Sequence, residues 1–235
     1  MSKAGPPLKE VLDQLEEFYG AEEPSWPTEP YEFIVWWHCG YPASDAACER
    51  GWKSLTAITG IEPDKLLAVP TPKLAAALKV GGMVPELRAL RLKEIAARVK
   101  DELGGDLRGS LVGPVSAARK ILKKFPNIAD PGADRILLFS GIDAVAAVPS
   151  NCPHVLVRIL HGQERENYGV TYREAQEAID GQITKNVAAR MRAFLLVKQH
   201  GQTLCKRTNP KCEKCPLKAS CAYYAGKRRG RSALA

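Results

Sequence analysis

Apolar positions recur at helical spacing through almost the whole chain. Leu8, Val11, Leu12, Leu15 and Phe18 fall three or four apart, and Gly20 ends that run. The apolar stretch 31–37 predicts a second helix, and Ser44 or Asp45 caps a third that reaches about Leu55. Thr71 and Pro72 read as a cap and first-turn proline for a helix over 73–79. The stretch 86–103 is long and amphipathic, with Leu87, Leu90, Ile95 and Val99 on or near one face. Gly113 and Pro114 open a helix to Lys124, Pro131 opens another to Ser140, and Ser150 with Asn151 caps one that runs through Leu160. Thr171 with Glu174 has the spacing of a capping box, and 185–200 forms the last long helix. No stretch alternates apolar and polar residues for long enough to make a sheet, so the predicted class is all-α. There is no internal repeat or low-complexity linker, and only the Gly/Arg-rich end after Ala225 reads as disordered.

A chain of 235 residues has room for a sizeable core, in one large domain or two small ones. No apolar run approaches the length of a membrane span, and the polar N-terminus does not read as a signal peptide. The expected location is the cytoplasm. Thiols are then reduced, and the seven cysteines are not a disulfide framework. The net charge of +8 is concentrated at one end. From Lys198 onward there are ten Lys and Arg against one acid, Glu213, whereas the residues before it hold 24 bases and 25 acids. Such a segment suits a phosphate backbone; on charge alone, a solubilising tail is the other reading.

Within that basic segment, Cys205, Cys212, Cys215 and Cys221 are spaced C-x6-C-x2-C-x5-C. Four thiolates on one short loop can wrap a compact centre. A [4Fe–4S] cube asks for one soft anionic ligand per iron, which this set supplies. Structural zinc is the competitor, but zinc ribbons bring two tight Cys-x2-Cys knuckles and only one is present. Four unrelated buried cysteines would need a less polar segment.

With His200-Gly201 ahead of them, these cysteines resemble the iron–sulfur loop of endonuclease III and its adenine-glycosylase relatives. The resemblance implies a structural [4Fe–4S] cluster on Cys205, Cys212, Cys215 and Cys221. It also implies that Lys206, Arg207 and Lys211, between the first two ligands, meet DNA phosphate. Upstream, Phe125-Pro126-Asn127-Ile128-Ala129-Asp130 and the helix after it resemble the family's helix–hairpin–helix, in which Leu-Pro-Gly-(Val/Ile)-Gly precedes a helix. Asn127, Ile128, Ala129 and Asp130 are therefore expected at duplex DNA, through backbone N–H groups and a helix N-terminus. Asn tolerates a left-handed turn; Ala129 would not if its position needs positive φ. Pro30-Tyr31-Glu32 resembles the opening of the family's helical barrel, and Val148-x-Ser150-Asn151 the segment that begins Val-Asp-Ser-Asn. The motifs run in family order from about residue 30 to 221. They imply a six-helix barrel with the hairpin over 23–143, a cluster domain from 1–22 with 144–235, and a DNA cleft between the two. The protein is expected to be a monomer.

The departures bear on chemistry. Pro131 stands where bifunctional family members carry the lysine that forms a Schiff base, and Pro149 where family glycosylases carry the aspartate that stabilises the sugar cation. The two prolines are 18 residues apart, which is the family's separation. Pro42 falls where a polar residue fills the gap left by a flipped base. Asp45, Asp130, Asp134 and His154 are the substitute groups to consider, and Trp36, Trp37 and Tyr41 could stack on an extruded base. Three readings follow: a repair protein that binds damaged or unusual duplex DNA without the usual glycosylase and lyase chemistry, an active glycosylase or abasic-site lyase that uses relocated groups or acts on cationic bases that leave easily, or an iron–sulfur redox module.

Overall fold

The structure, a computed structural model, describes residues 5–232. Among these residues every regular element is helical, in agreement with the all-α expectation. In chain order the helices are α1 (Leu8–Tyr19), α2 (Pro30–His38), α3 (Asp45–Ile58), α4 (Pro63–Ala68), α5 (Thr71–Leu78), α6 (Pro85–Leu103) and α7 (Leu107–Ser110). They continue as α8 (Val115–Leu122), α9 (Asp130–Phe139), α10 (Pro153–His161), α11 (Tyr168–Gln182), α12 (Val187–Thr203) and α13 (Ala222–Ser232). Single 3-10 turns lie at Lys79–Gly81 and Cys212–Lys214. No helix among the described residues is long and apolar enough to cross a membrane.

The described residues form two compact units, one from 24–142 and one from 5–23 with 143–232. The first contains α2 to α9, and six of these eight helices run to eight residues or more. Its core is large and partly aromatic: Phe33, Ile34, Trp36, Leu55, Leu74, Leu92, Ile95, Leu122 and Leu137 are all buried. In the second unit α1 lays Leu8, Val11, Leu12 and Leu15 into a core with Val155, Leu156, Ile179, Leu196, Val197 and Leu217. Helices such as α1 bury one stripe and leave the rest wet, which is the origin of the spacing seen in the sequence, whereas α10 is buried on nearly every side.

Several expectations fail in detail, each for a tertiary reason. Phe18 keeps the α1 spacing but is 52% exposed. In α6, Leu87 and Leu90 are exposed, and the buried face carries Arg88, Ala89, Leu92, Ile95, Ala96 and Val99. Arg88 takes a core position because its guanidinium donates to the carbonyls of Met83 at 3.0 Å, Leu78 at 2.9 Å and Gly82 at 2.7 Å, and to that of Cys39. A buried fork of donors that closes open helix ends outweighs hydrophobic spacing here. Thr71 lies inside α5 behind Pro70, and α10 starts at Pro153 behind Cys152, so neither Thr71 nor the Ser150–Asn151 pair is the cap. Thr171 and Glu174 do not form a capping box. The N-cap of α11 is Asn167, whose side chain accepts from Val170 N–H at 3.2 Å, while Glu174 binds Arg165 at 2.8 Å. The chain after Ala225 continues as α13 to Ser232; the end at 233–235 lies outside the described residues. No apolar stripe announces α13. It is seated from its first turn, where Arg158 lies 4.9 Å from the Tyr223 ring.

Candidate nucleic-acid interface and metal centre

The hairpin joins α8 to α9. Phe125 and Ile128 are buried and anchor it, while Asn127, Ala129 and Asp130 are exposed. Ile128 N–H donates to Phe125 O at 3.3 Å, which closes a tight turn. Asn127 takes φ 57, the left-handed region that asparagine enters at least cost after glycine. Ala129 is extended, with φ −102 and ψ −175, and α9 begins immediately after it. That position asks for no positive φ, so alanine is accommodated without strain. The amides of Asn127, Ala129, Asp130 and Gly132 donate to no protein acceptor among the described residues. Three of these sit at the start of a ten-residue helix, where the dipole also favours an anion. Asp130 is the one acid there, and Lys123 holds its carboxylate at 2.7 Å.

In the other unit, α12 ends at Thr203 and the chain folds back on itself. Cys205 N–H donates to His200 O at 2.8 Å, and Lys211 N–H to Leu204 O at 2.8 Å, which closes the six-residue span between the first two cysteines. Cys221 N–H donates to Leu217 O at 2.9 Å, and fully buried Leu217 pins the second half of the loop to the core. Cys205, Cys212, Cys215 and Cys221 all line one small pocket, together with Ile159 and Leu204. Each is partly buried. Burial pushes the Cys205 thiol up to about 12; Arg158 works against that shift, and the neighbouring Cys221 and Cys215 add to it. Cys215 rises to about 11 through burial, opposed by the Leu217 amide and reinforced by Cys221 and Cys212. Burial also raises Cys221, against the amides of Tyr223 and Tyr224. Backbone amides aimed at sulfur, as at Cys215 and Cys221, favour the thiolate that a metal ligand must be. Among the described residues no three His, Cys, Asp or Glu side chains converge as the ligands of a single metal ion must. The four thiols surround a pocket instead. They could hold a body of several metal atoms, one thiolate to each.

The loop is braced from below by groups whose role the sequence did not disclose. Arg158, on α10 and 5% exposed, donates to Lys206 O at 2.9 Å and Arg207 O at 3.0 Å, and pairs with Glu164 at 2.8 Å. Two carbonyls of the basic stretch thus face inward, while Lys206, Arg207 and Lys211 are exposed. Glu164 also holds the Arg207 guanidinium at 3.2 Å. His154 Nε2 lies 2.8 Å from Cys205 O, so this buried histidine is a brace for the first cysteine. His200 stands between α1 and the cysteines, with Nδ1 3.0 Å from the Tyr19 hydroxyl and Nε2 3.6 Å from Cys215 Sγ. Gly201 beside it admits α10: a Cβ there would come within 2.5 Å of Cys152 Sγ. The only sequence signal for these braces was His200-Gly201 and Arg158 standing inside quoted motifs.

The positions at which the resemblance places the reactive groups are prolines. Pro131 sits in the first turn of α9, and Pro149 is buried in the loop before α10, its carbonyl accepting from Cys152 N–H at 2.9 Å. Pro42 is exposed and follows a cis peptide bond. Among the substitutes, Asp134 is 1% exposed and pairs with Arg119 at 2.6 Å, and Asp45 starts α3 behind Ser44. Trp36 is core. Trp37 stacks between Phe33 at 5.9 Å and Tyr41 at 4.8 Å, and Arg135 lies over Trp26 at 3.9 Å.

No family model matches the chain. It is similar to endonuclease III of Thermotoga maritima, with 24% identity over 204 residues that make up 87% of each chain. Among solved structures it resembles a trapped endonuclease III–DNA covalent intermediate, with a TM-score of 0.74 and 18% identity over 94% of this chain and 97% of the other. It also resembles a thermostable thymine-DNA glycosylase, with a TM-score of 0.69 and 18% identity over 93% and 96% of the two chains. The protein therefore has the all-helical fold of endonuclease III and its DNA-glycosylase relatives.

Proposed function

We propose that this protein is an endonuclease III-like DNA-repair protein. In this reading it binds duplex DNA at damaged or unusual sites and lacks the usual glycosylase and abasic-site lyase chemistry. The observation that carries the reading is the coexistence of a complete set of hairpin amides with proline at both reactive positions. Phosphate is taken by the amides of Asn127, Ala129, Asp130 and Gly132 and by the side chains of Lys206, Arg207 and Lys211. The first group works through fixed backbone dipoles, the second through charge.

Cys205, Cys212, Cys215 and Cys221 are assigned a [4Fe–4S] cluster. Their spacing, with one Cys-x2-Cys knuckle where a zinc ribbon brings two, suits one thiolate per iron better than a single zinc ion. When bound, the cluster supplies a covalent cross-link across the loop. Arg158 and His154 hold the loop's carbonyls inward, and the basic side chains consequently stay outward.

A Schiff base needs a neutral amine held at the sugar carbon, and Pro131 has none. Departure of a base as an anion needs a carboxylate opposite the developing sugar cation, and Pro149 has none. Asp134 and His154 do not replace them, since each is engaged inside its own unit. The test incubates purified protein with duplexes carrying a panel of base lesions and an abasic site. Base release, strand breaks and borohydride-trapped complexes are scored separately. Binding without release or trapping is expected, and the double variant Pro131→Lys with Pro149→Asp should gain measurable trapping or release. Efficient trapping by the parent overturns the silent-site reading, and mapping the cross-linked lysine then names a relocated nucleophile.

A further inference from the structure

The hairpin rests on a side chain that neither its own sequence nor the reactive positions account for. His38 closes α2 and is 1% exposed. Its Nε2 lies 2.9 Å from Pro126 O, its Nδ1 2.8 Å from Ile34 O, and the Asn127 side-chain amide 3.4 Å from the same Nε2. A neutral imidazole has one N–H to give. Ile34 O lies within α2, where the backbone N–H four residues on is its ordinary partner. Pro126 O receives no backbone N–H among the described residues. The proton is therefore best placed on Nε2, where it serves the carbonyl that otherwise has no donor; Nδ1 then abuts Ile34 O without a hydrogen bond, and the Asn127 amide donates nothing to Nε2.

That carbonyl belongs to the same peptide group as the Asn127 N–H. A hydrogen bond into C=O fixes the peptide plane and draws density through the amide, which strengthens its N–H as a donor. The Asn127 N–H has no protein acceptor, and the residue is exposed and held left-handed at φ 57. We propose that His38 is a positioning residue for DNA: it sets the plane and the donor strength of the Pro126–Asn127 peptide at the phosphate site. It acts through the peptide and touches no nucleotide. The inference rests on the hairpin's assignment to DNA phosphate. It goes beyond that assignment by locating the control of hairpin geometry in α2.

Three variants separate this role from simple packing. His38→Leu removes the donor, His38→Asn keeps a polar side chain that reaches only the Ile34 side, and His38→Gln restores an N–H near the Nε2 position. Affinity for a lesion-free duplex oligonucleotide should fall about five- to tenfold in His38→Leu and His38→Asn, the loss of one hydrogen bond's worth of ordering. The salt dependence should stay that of the parent, because no cation is removed. In the free protein, the Asn127 amide proton should move upfield in both of these variants. His38→Gln should recover both readouts. Unmoved Asn127 resonances, or a His38→Asn variant that behaves like the parent, would overturn the role of His38. A parent that fails to bind duplex DNA would overturn the DNA assignment instead, and the Asn127 resonance would still decide whether His38 sets the peptide.

Discussion

The hairpin at 125–132 and the loop at 205–221 are both assigned to phosphate, and they are built from opposite materials. The hairpin offers main-chain N–H groups from a turn and a helix start, and its exposed side chains, Asn127, Ala129 and Asp130, bring no positive charge. The loop offers charged side chains on a backbone whose carbonyls Arg158 and His154 turn inward. A site made of backbone survives substitution wherever the new residue can adopt the required φ, as Asn127 does. A site made of ligands and cations fails with the loss of a single group. The contrast fits a hairpin with Asn127 and Ala129 where the resemblance expects glycine, beside a segment that has all four cysteines the resemblance expects. Both regions stand on a buried neutral histidine, His38 under the hairpin and His200 beneath the cysteines, and burial pushes each down to about 4.

The largest expected effect falls on the loop. Cys212→Ser should bleach the visible thiolate-to-iron absorption of the brown protein and lower Tm by on the order of 10 °C, because metal binding contributes directly to folding. Colourless parent protein with stoichiometric zinc would remove the cluster from the comparison. Next in size is salt dependence. Charge reversal at Lys206, Arg207 and Lys211 should reduce the slope of log K against log salt by about 2 to 3. Asn127→Gly and Ala129→Gly should leave that slope unchanged, and an equal effect from both sets of changes would erase the distinction between side-chain and backbone sites. The smallest effect concerns acid. His38 is neutral in the fold and has an ordinary value of 6.5, so the unfolded chain binds more protons as pH falls from about 6.5 to about 4. Stability should be complete above that window and decline through it, by on the order of 3 kcal/mol from this group. Equilibrium denaturation at a series of pH values should show a shallower decline in His38→Gln.

The helical class was legible because it is written in short-range spacing, and the four-cysteine set stood out for the same reason. Apolar residues three and four apart require a helix whatever surrounds them, and C-x6-C-x2-C-x5-C puts four soft ligands within one loop's reach. Helix starts were less legible. Asn167 caps α11 where Thr171 and Glu174 had the better motif, because Arg165 takes the Glu174 carboxylate. The buried face of α6 was misread because Arg88, a charged residue in sequence terms, closes four carbonyls that arrive from three separate segments.

The sequence by itself determined the all-helical architecture, the cysteine set and the basic segment around it, since each is a property of residue type and local spacing. Only the tertiary structure decided what holds the functional backbone in place. His38 meets Pro126 across 88 residues, and Arg158 meets Lys206 across 48. A carbonyl left without its regular partner has the same sequence as one that is satisfied. Which side chain comes to serve it depends on how distant helices pack, and spacing along the chain carries no record of that.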